Sequence, residues 1–229
     1  MIHHSPDRQA GAVEQYLEES LGLQVASLEK GREHARAAGL PSIEVSAGQG
    51  KFLQLLAEMI GARRVLEIGT LGGYSTSWLA LGVGAAGRVV TCEFEPLHAS
   101  VARENLERSG LADRVDIKLG AAQGTLDSLI SKRVQAFDLI FIDADKRNNV
   151  LYLERALKLS HPGTVLVLDN VVRGGAVLDD PSTAGSQEAD VRGIQQSLAW
   201  LGEHRQVSAT ALQTLGAKGW DGFALARVL

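Results

Sequence analysis

Residues 65–76 read VLEIGTLGGYST, and the order of residue types in this stretch decides how the chain is built. An aliphatic run broken only by Glu67 is followed by Gly69, Gly72 and Gly73, and then Tyr74 and Ser75 open a helical stretch. A short apolar run, a glycine-rich turn and a helix form the first half of a strand–helix unit. The same alternation recurs downstream, with strands expected at 64–68, 88–94, 115–119, 137–142 and 163–168 and helices at 74–81, 96–109, 124–131 and 149–160. Strands that are almost continuously Val, Leu and Ile are buried on both faces. They therefore belong to a parallel sheet covered by helices on each side, with right-handed crossovers.

The flanks complete this frame. Residues 173–190, RGGAVLDDPSTAGSQEAD, read as a loop, and a helix follows at 191–203. Two β-like runs at 205–214 and 222–228, joined by LGAKGWD, suit an antiparallel hairpin at the sheet edge. The expected fold is α/β: a doubly wound, mostly parallel seven-stranded sheet with a C-terminal antiparallel hairpin. Upstream, 7–39 is helical in pattern, with Val13, Leu17, Leu21, Val25 and Leu28 forming an apolar stripe, and 51–60 is helical too. The chain is expected to be one domain over 1–229, with a core at 64–229 and N-terminal helices at about 7–60 that cap it or contact a twin subunit.

Composition narrows the function. Hydrophobic residues at 45% and charged residues at 22% suit a globular core. A net charge of −4 without a dense Lys/Arg cluster argues against a nucleic-acid partner. No run approaches 18 apolar residues and the N-terminus lacks a secretory pattern, so a cytoplasmic protein with no membrane partner is expected. Cys92 is the single cysteine and reads as a small buried hydrophobe. His3 and His4, adjacent at the chain end, read as solvated residues rather than a metal site.

Glycines where a strand turns into a helix let a ligand approach the backbone. Thr70 and Leu71 follow Gly69, so the second glycine of the dinucleotide fingerprint is missing and a pyrophosphate cradle is disfavoured. Glu67 lies where it could accept hydrogen bonds from an ammonium group, or it could simply pair within the turn. Glu93 ends the second strand, 24 positions beyond Gly69. That is near the spacing of about 20 at which doubly wound folds place a carboxylate on ribose hydroxyls.

Taken in order, GLPSIEVSAGQGKFLQLL, VLEIGTLGGYST, VVTCEFEP, GAAQ, FIDADK, VLDN and DGFALAR resemble the class I S-adenosylmethionine-dependent methyltransferases. Within that class the likeness is to the cation-dependent catechol and caffeoyl-CoA type O-methyltransferases, over about 40–229. The resemblance implies contacts of Val45, Glu67, Gly69, Thr70 and Ser75 with the methionine part of S-adenosylmethionine. It places Glu93 on the ribose, Phe94 beside the adenine, and Ala122 and Gln123 at the adenine edge, with Asp143 also near the cofactor. It also implies a homodimer.

A second constellation stands on the residues themselves. Asp143 closes the fourth strand, and Asp169 with Asn170 closes the fifth. The carboxyl ends of neighbouring parallel strands lie on one edge about 4.8 Å apart, so these oxygens can converge. Hard oxygen donors favour Mg²⁺, with Mn²⁺ or Ca²⁺ as other choices. Adjacent residues of a strand point to opposite faces, so both Asp169 and Asn170 can reach a metal only if the strand ends between them. The open alternative is that Asp143 pairs with Lys146 and Asp169 caps the next segment. The resemblance assigns the metal to the same three positions and makes Lys146 the catalytic base. Asp145 is either near the cofactor or an N-terminal helix cap.

The expected activity is metal-dependent methyl transfer to a hydroxyl of a small catechol-like phenol. The alternatives are a metal-independent methyltransferase and an inactive cofactor-binding module. Departures from the family pattern bear on the substrate. Asn149 stands where the family has Tyr, leaving Tyr152, Trp220 or the N-terminal helix to stack on substrate. Gln195 replaces an Asn and could reach toward the metal. Arg173 and Arg192 are the only basic residues in and just beyond the 173–190 loop, too few to favour a coenzyme A ester.

Overall fold

In a computed structural model that describes residues 6–229, helices α1 (Pro6–Ser20), α2 (Ala26–Ala37) and α3 (Ala47–Met59) precede the first strand. His3 and His4 lie outside the described residues. Strand and helix then alternate as β1 (Arg64–Ile68), α4 (Tyr74–Gly82), β2 (Arg88–Glu93), α5 (Pro96–Arg108), β3 (Val115–Leu119), α6 (Ala122–Ser131), β4 (Phe137–Ile142), α7 (Asn149–Lys158) and β5 (Ser160–Asp169). Helix α8 (Glu188–Glu203) and the strands β6 (Val207–Gly216) and β7 (Gly219–Val228) complete the order.

The strands form one seven-stranded sheet in the order β3-β2-β1-β4-β5-β7-β6. Strands β1 to β5 pair in parallel, and β7 runs antiparallel to both β5 and β6. Alternation along each strand divides the core between two faces. Val65, Leu139, Phe141 and Val167 pack with Leu53, Trp78 and Leu79, while Leu66, Ile140, Ile142 and Leu168 pack with Leu126, Leu153 and Ile194. The winding direction reverses between β1 and β4. In open α/β sheets the crevice outside the carboxyl ends of such a strand pair is where ligands bind.

Several boundaries differ from the sequence expectation: β5 begins at Ser160 rather than 163 and α8 at Glu188 rather than 191. The helical stretch at 7–39 divides into α1 and α2. Gly22 takes φ +61, and Leu23 N–H donates to Glu18 O at 2.9 Å, which closes α1 with a left-handed residue that suits glycine. The hairpin turn is also tighter than LGAKGWD implied: pairing continues to Gly216↔Gly219, leaving only Ala217 and Lys218 between the strands. Among the described residues no helix is long and apolar enough to cross a membrane.

Candidate functional site

A cavity of about 1120 Å³ opens at the carboxyl edge of the sheet, around the β1/β4 switch. Val45, Gly69, Thr70, Ser75, Glu93, Phe94, Ala122, Gln123, Asp143, Lys146 and Asn170 all line it. Most of the sequence candidates are thus brought together. Glu67 and Asp169 are the two that do not face this space.

Glu67 is fully buried beneath the glycine-rich turn. Its oxygens accept hydrogen bonds from Ser75 Oγ (2.7 Å), Thr76 Oγ1 (2.5 Å) and Thr91 Oγ1 (2.6 Å). Burial pushes its carboxyl up to about 7, against the pull of the three hydroxyls. Glu67 therefore reaches the cavity only through Ser75. The glycines of the turn also serve the protein's own packing. A Cβ on Gly69, whose φ is +105, would lie 2.0 Å from Asp143 O, and one on Gly72 would lie 2.9 Å from Ala35 Cβ. The glycines at 69 and 72 are required because the exit of β4 and helix α2 press against the turn.

Glu93 is buried at the end of β2 and holds the turn from the other side. Its Oε2 accepts from Leu71 N–H (2.7 Å) and Thr70 N–H (3.3 Å), and its Oε1 from Phe94 N–H and Glu95 N–H, both at 2.9 Å. His98 Nδ1 lies 3.5 Å from Oε1. Phe94 exposes its ring to the cavity, and Ala122 and Gln123 begin α6 at the cavity's far wall.

The strand-end carboxylates lie where the cavity meets a second one of about 710 Å³, lined by α1, α3 and the β6–β7 hairpin. Asp169 faces this second space, while Asn170 and Asp221 face both. Strand β5 ends at Asp169, and Asn170 has φ +57, so the backbone turns between them as their joint use requires. Lys146 Nζ donates to Asp143 Oδ1 at 2.9 Å, with the lysine almost fully buried. Burial, and then the charge of Asp143, hold the Asp169 carboxyl well above the usual carboxylate range, opposed by Lys146, Asn170 N–H and Gln49. Two carboxylates, one buried and one half-buried at the cavity wall, with one ammonium form a donor set short of positive charge, which fits a hard divalent cation. Among the described residues no group of three or more His, Cys, Asp or Glu side chains forms a metal site; at this corner the Asn170 amide is the further oxygen beside the two carboxylates.

Asp221 is the residue that sequence reasoning missed. It sits in the WDG of β7, in the stretch read as the hairpin connection and for its family likeness. Its Oδ2 accepts Asn170 Nδ2–H at 3.0 Å, which leaves the amide oxygen of Asn170 as the free donor atom. Its Oδ1 accepts from Arg173 N–H (2.9 Å) and Val172 N–H (3.2 Å), fixing the chain after β5. Gly193 is a second omission: α8 packs so closely that a Cβ there would sit 2.2 Å from Lys146 O.

Asp145 lines the large cavity, one of the two placements expected for it, and accepts from Tyr152 Oη–H and from Asn148 Nδ2–H, both at 2.5 Å; its side chain makes no capping bond to the following turn. Other residues take places the sequence did not assign. Asn149 is fully buried and points away from the cavity, its amide atoms without hydrogen-bond partners among the described residues, whereas Asn148 and Tyr152 line it. Gln195 does not reach the strand-end carboxylates: its Nε2 donates to Val177 O (3.0 Å) and Asp179 O (2.9 Å) and pins the 173–187 segment. Trp220 packs on Gly175 and donates to Gln213 Oε1 at 2.8 Å, outside both cavities. Arg147 and Arg173 both face Asp190, at 3.7 and 3.5 Å.

The O-methyltransferase family pattern matches residues 18–226. The chain belongs to this family. It is 57% identical over 192 residues to a catechol O-methyltransferase of Mycobacterium tuberculosis, covering 84% of each protein. It is 45% identical over 217 residues to a catechol O-methyltransferase of Niastella koreensis, covering 95% of this chain and 96% of that one. An O-methyltransferase of Bacillus cereus, solved in complex with SAH, superposes with a TM-score of 0.92 at 49% identity, over 97% of this chain and 99% of that one. The large cavity opens at the carboxyl edge of the sheet, where open α/β folds bind ligands, and the carboxylate corner lies at its edge.

Proposed function

We propose that this protein moves the methyl group of S-adenosylmethionine to a hydroxyl of a catechol-like phenol, with a divalent cation, Mg²⁺ foremost, held by Asp143, Asp169 and Asn170. The observation that carries the reading is the convergence of these three residues and Lys146 where the two cavities join. Val45, Gly69, Thr70 and Ser75 would seat the methionine part, with Glu67 orienting the Ser75 hydroxyl from below. Glu93 would hold the ribose, Phe94 would flank the adenine, and Ala122 and Gln123 would meet its edge. The cation, when bound, supplies Lewis acidity that lowers the phenol pKa from about 10. Lys146, as the neutral amine with a free lone pair, would take the phenolic proton at Nζ; the phenolate oxygen would bond to the methyl carbon as the carbon–sulfur bond breaks, leaving the neutral thioether.

A free phenol is favoured over a coenzyme A ester because Arg147 and Arg173 already face Asp190. We read the chain as a single catalytic unit. A homodimer follows from the family likeness, and a cytoplasmic setting suits the single buried thiol, Cys92. A panel of vicinal diphenols assayed with labelled cofactor tests the proposal. Activity is expected to vanish with EDTA and to fall at least a hundredfold in Asp143→Ala; methylation that survives both would remove the metal-dependent mechanism.

A further inference from the structure

We infer that the acceptor site extends from the carboxylate corner into the second cavity, under α1, and takes an aromatic diol bearing a long apolar substituent. This rests on the function proposed above and narrows its substrate class. The cavity measures about 710 Å³, whereas an apolar hole of roughly 150 Å³ is enough for one benzene ring. Its size falls among pockets that take whole drug-sized ligands, about 300–1,000 Å³. Catechol alone would leave most of it filled with water.

Its walls are apolar where it matters. Val13 and Leu17 of α1, Phe52 and Leu55 of α3, and Leu215 and Phe223 of the hairpin face the space. Val13, Leu17 and Leu55 remain 52%, 49% and 43% exposed, so an apolar chain lying there would remove their surface from water. Charged groups of the same region have partners within the chain. Glu14 accepts Ala217 N–H at 2.7 Å, Lys51 Nζ donates to Gln54 at 3.1 Å, and Lys218 donates to Glu44 O. The cavity is continuous with the reaction corner: Asp169 lies in its wall, and Val45, Asn170 and Asp221 are shared with the cofactor cavity. With the first cavity allotted to the cofactor, a diol presented at the junction has the second cavity for its ring substituents.

A series of 4-n-alkylcatechols, from methyl to octyl, tests the inference through kcat/KM. A fully buried methylene contributes about 0.8 kcal/mol, close to fourfold, so a rise of about two- to fourfold per added carbon is expected. Leu17→Glu is expected to bring the octyl-to-methyl ratio close to one, while Tyr16→Glu, on the same helix but off the cavity wall, keeps the wild-type ratio. Calorimetric binding of S-adenosylhomocysteine verifies that each variant is folded. A flat wild-type series, as a twin subunit covering α1 would produce, overturns the extension, and so does a series unaffected by Leu17→Glu. Failure to methylate any catechol would bring down the functional reading itself, whereas methylation of short catechols with a flat series brings down the extension alone.

Discussion

Glu67 shows how a residue can be chosen correctly from sequence and yet work differently in space. A carboxylate two positions before a strand-end glycine pointed to the cofactor, but it is enclosed by Ser75, Thr76 and Thr91, so only the serine meets the cavity. The threonine partner on β2 is 24 positions away and has no local signal in the sequence. Burial raises this carboxyl from 4.5 to about 7, so the native state keeps its proton across a window in which the unfolded chain has lost it. Stability should therefore be greatest below that window and fall as pH rises from about 4.5 to about 7, by about 3 kcal/mol from this group. Chemical denaturation of wild type and Glu67→Gln across that range isolates the effect: the wild type should lose stability relative to the variant as pH rises. A constant difference would show that Glu67 does not titrate in the window.

At the scale of elements, α8 and the β5–α8 connection set the reaction corner as firmly as the strands do. The sequence marked 173–190 as a loop and left open whether Gln195 reaches toward the strand-end carboxylates; Gln195 instead fastens that loop to α8. Helix α8 in turn lies on the Lys146 turn at Gly193. Gly193→Ala should push the lysine from Asp143, since a Cβ 2.2 Å from Lys146 O cannot be accommodated without movement. A displacement of about 1 Å can cost on the order of a hundredfold in rate, so kcat should drop by about ten- to a hundredfold while S-adenosylhomocysteine affinity changes little. Unchanged turnover would mean that α8 yields rather than the turn. The sequence placed a helix at 191–203, within α8. It could not show which face meets β4's exit, because a helix–helix contact through glycine leaves no pattern along the chain.

For the whole molecule, the cost of bringing two carboxylates together is borne by the fold. Asp143 and Asp169 close adjacent strands, and the rise in the Asp169 carboxyl records its burial first and the nearby charge of Asp143 second. Asp169→Asn is expected to raise the melting temperature of the metal-free protein, whereas added Mg²⁺ should raise that of the wild type and leave the variant's almost unchanged. Equal Mg²⁺ shifts in both proteins would place the ion elsewhere.

By itself the sequence determined the alternation of strand and helix, the parallel sheet, the C-terminal hairpin and the residues at the strand ends. Each of these is written in short-range periodicity or in turn chemistry. The tertiary structure alone decided that Glu67 acts through Ser75, that Asp221 turns the Asn170 amide, that Asn149 is buried away from the cavity while Asn148 lines it, and that a second cavity opens under α1. These depend on which distant segments meet at the carboxyl edge of the sheet, and one strand's pattern says nothing of what its neighbours bring there.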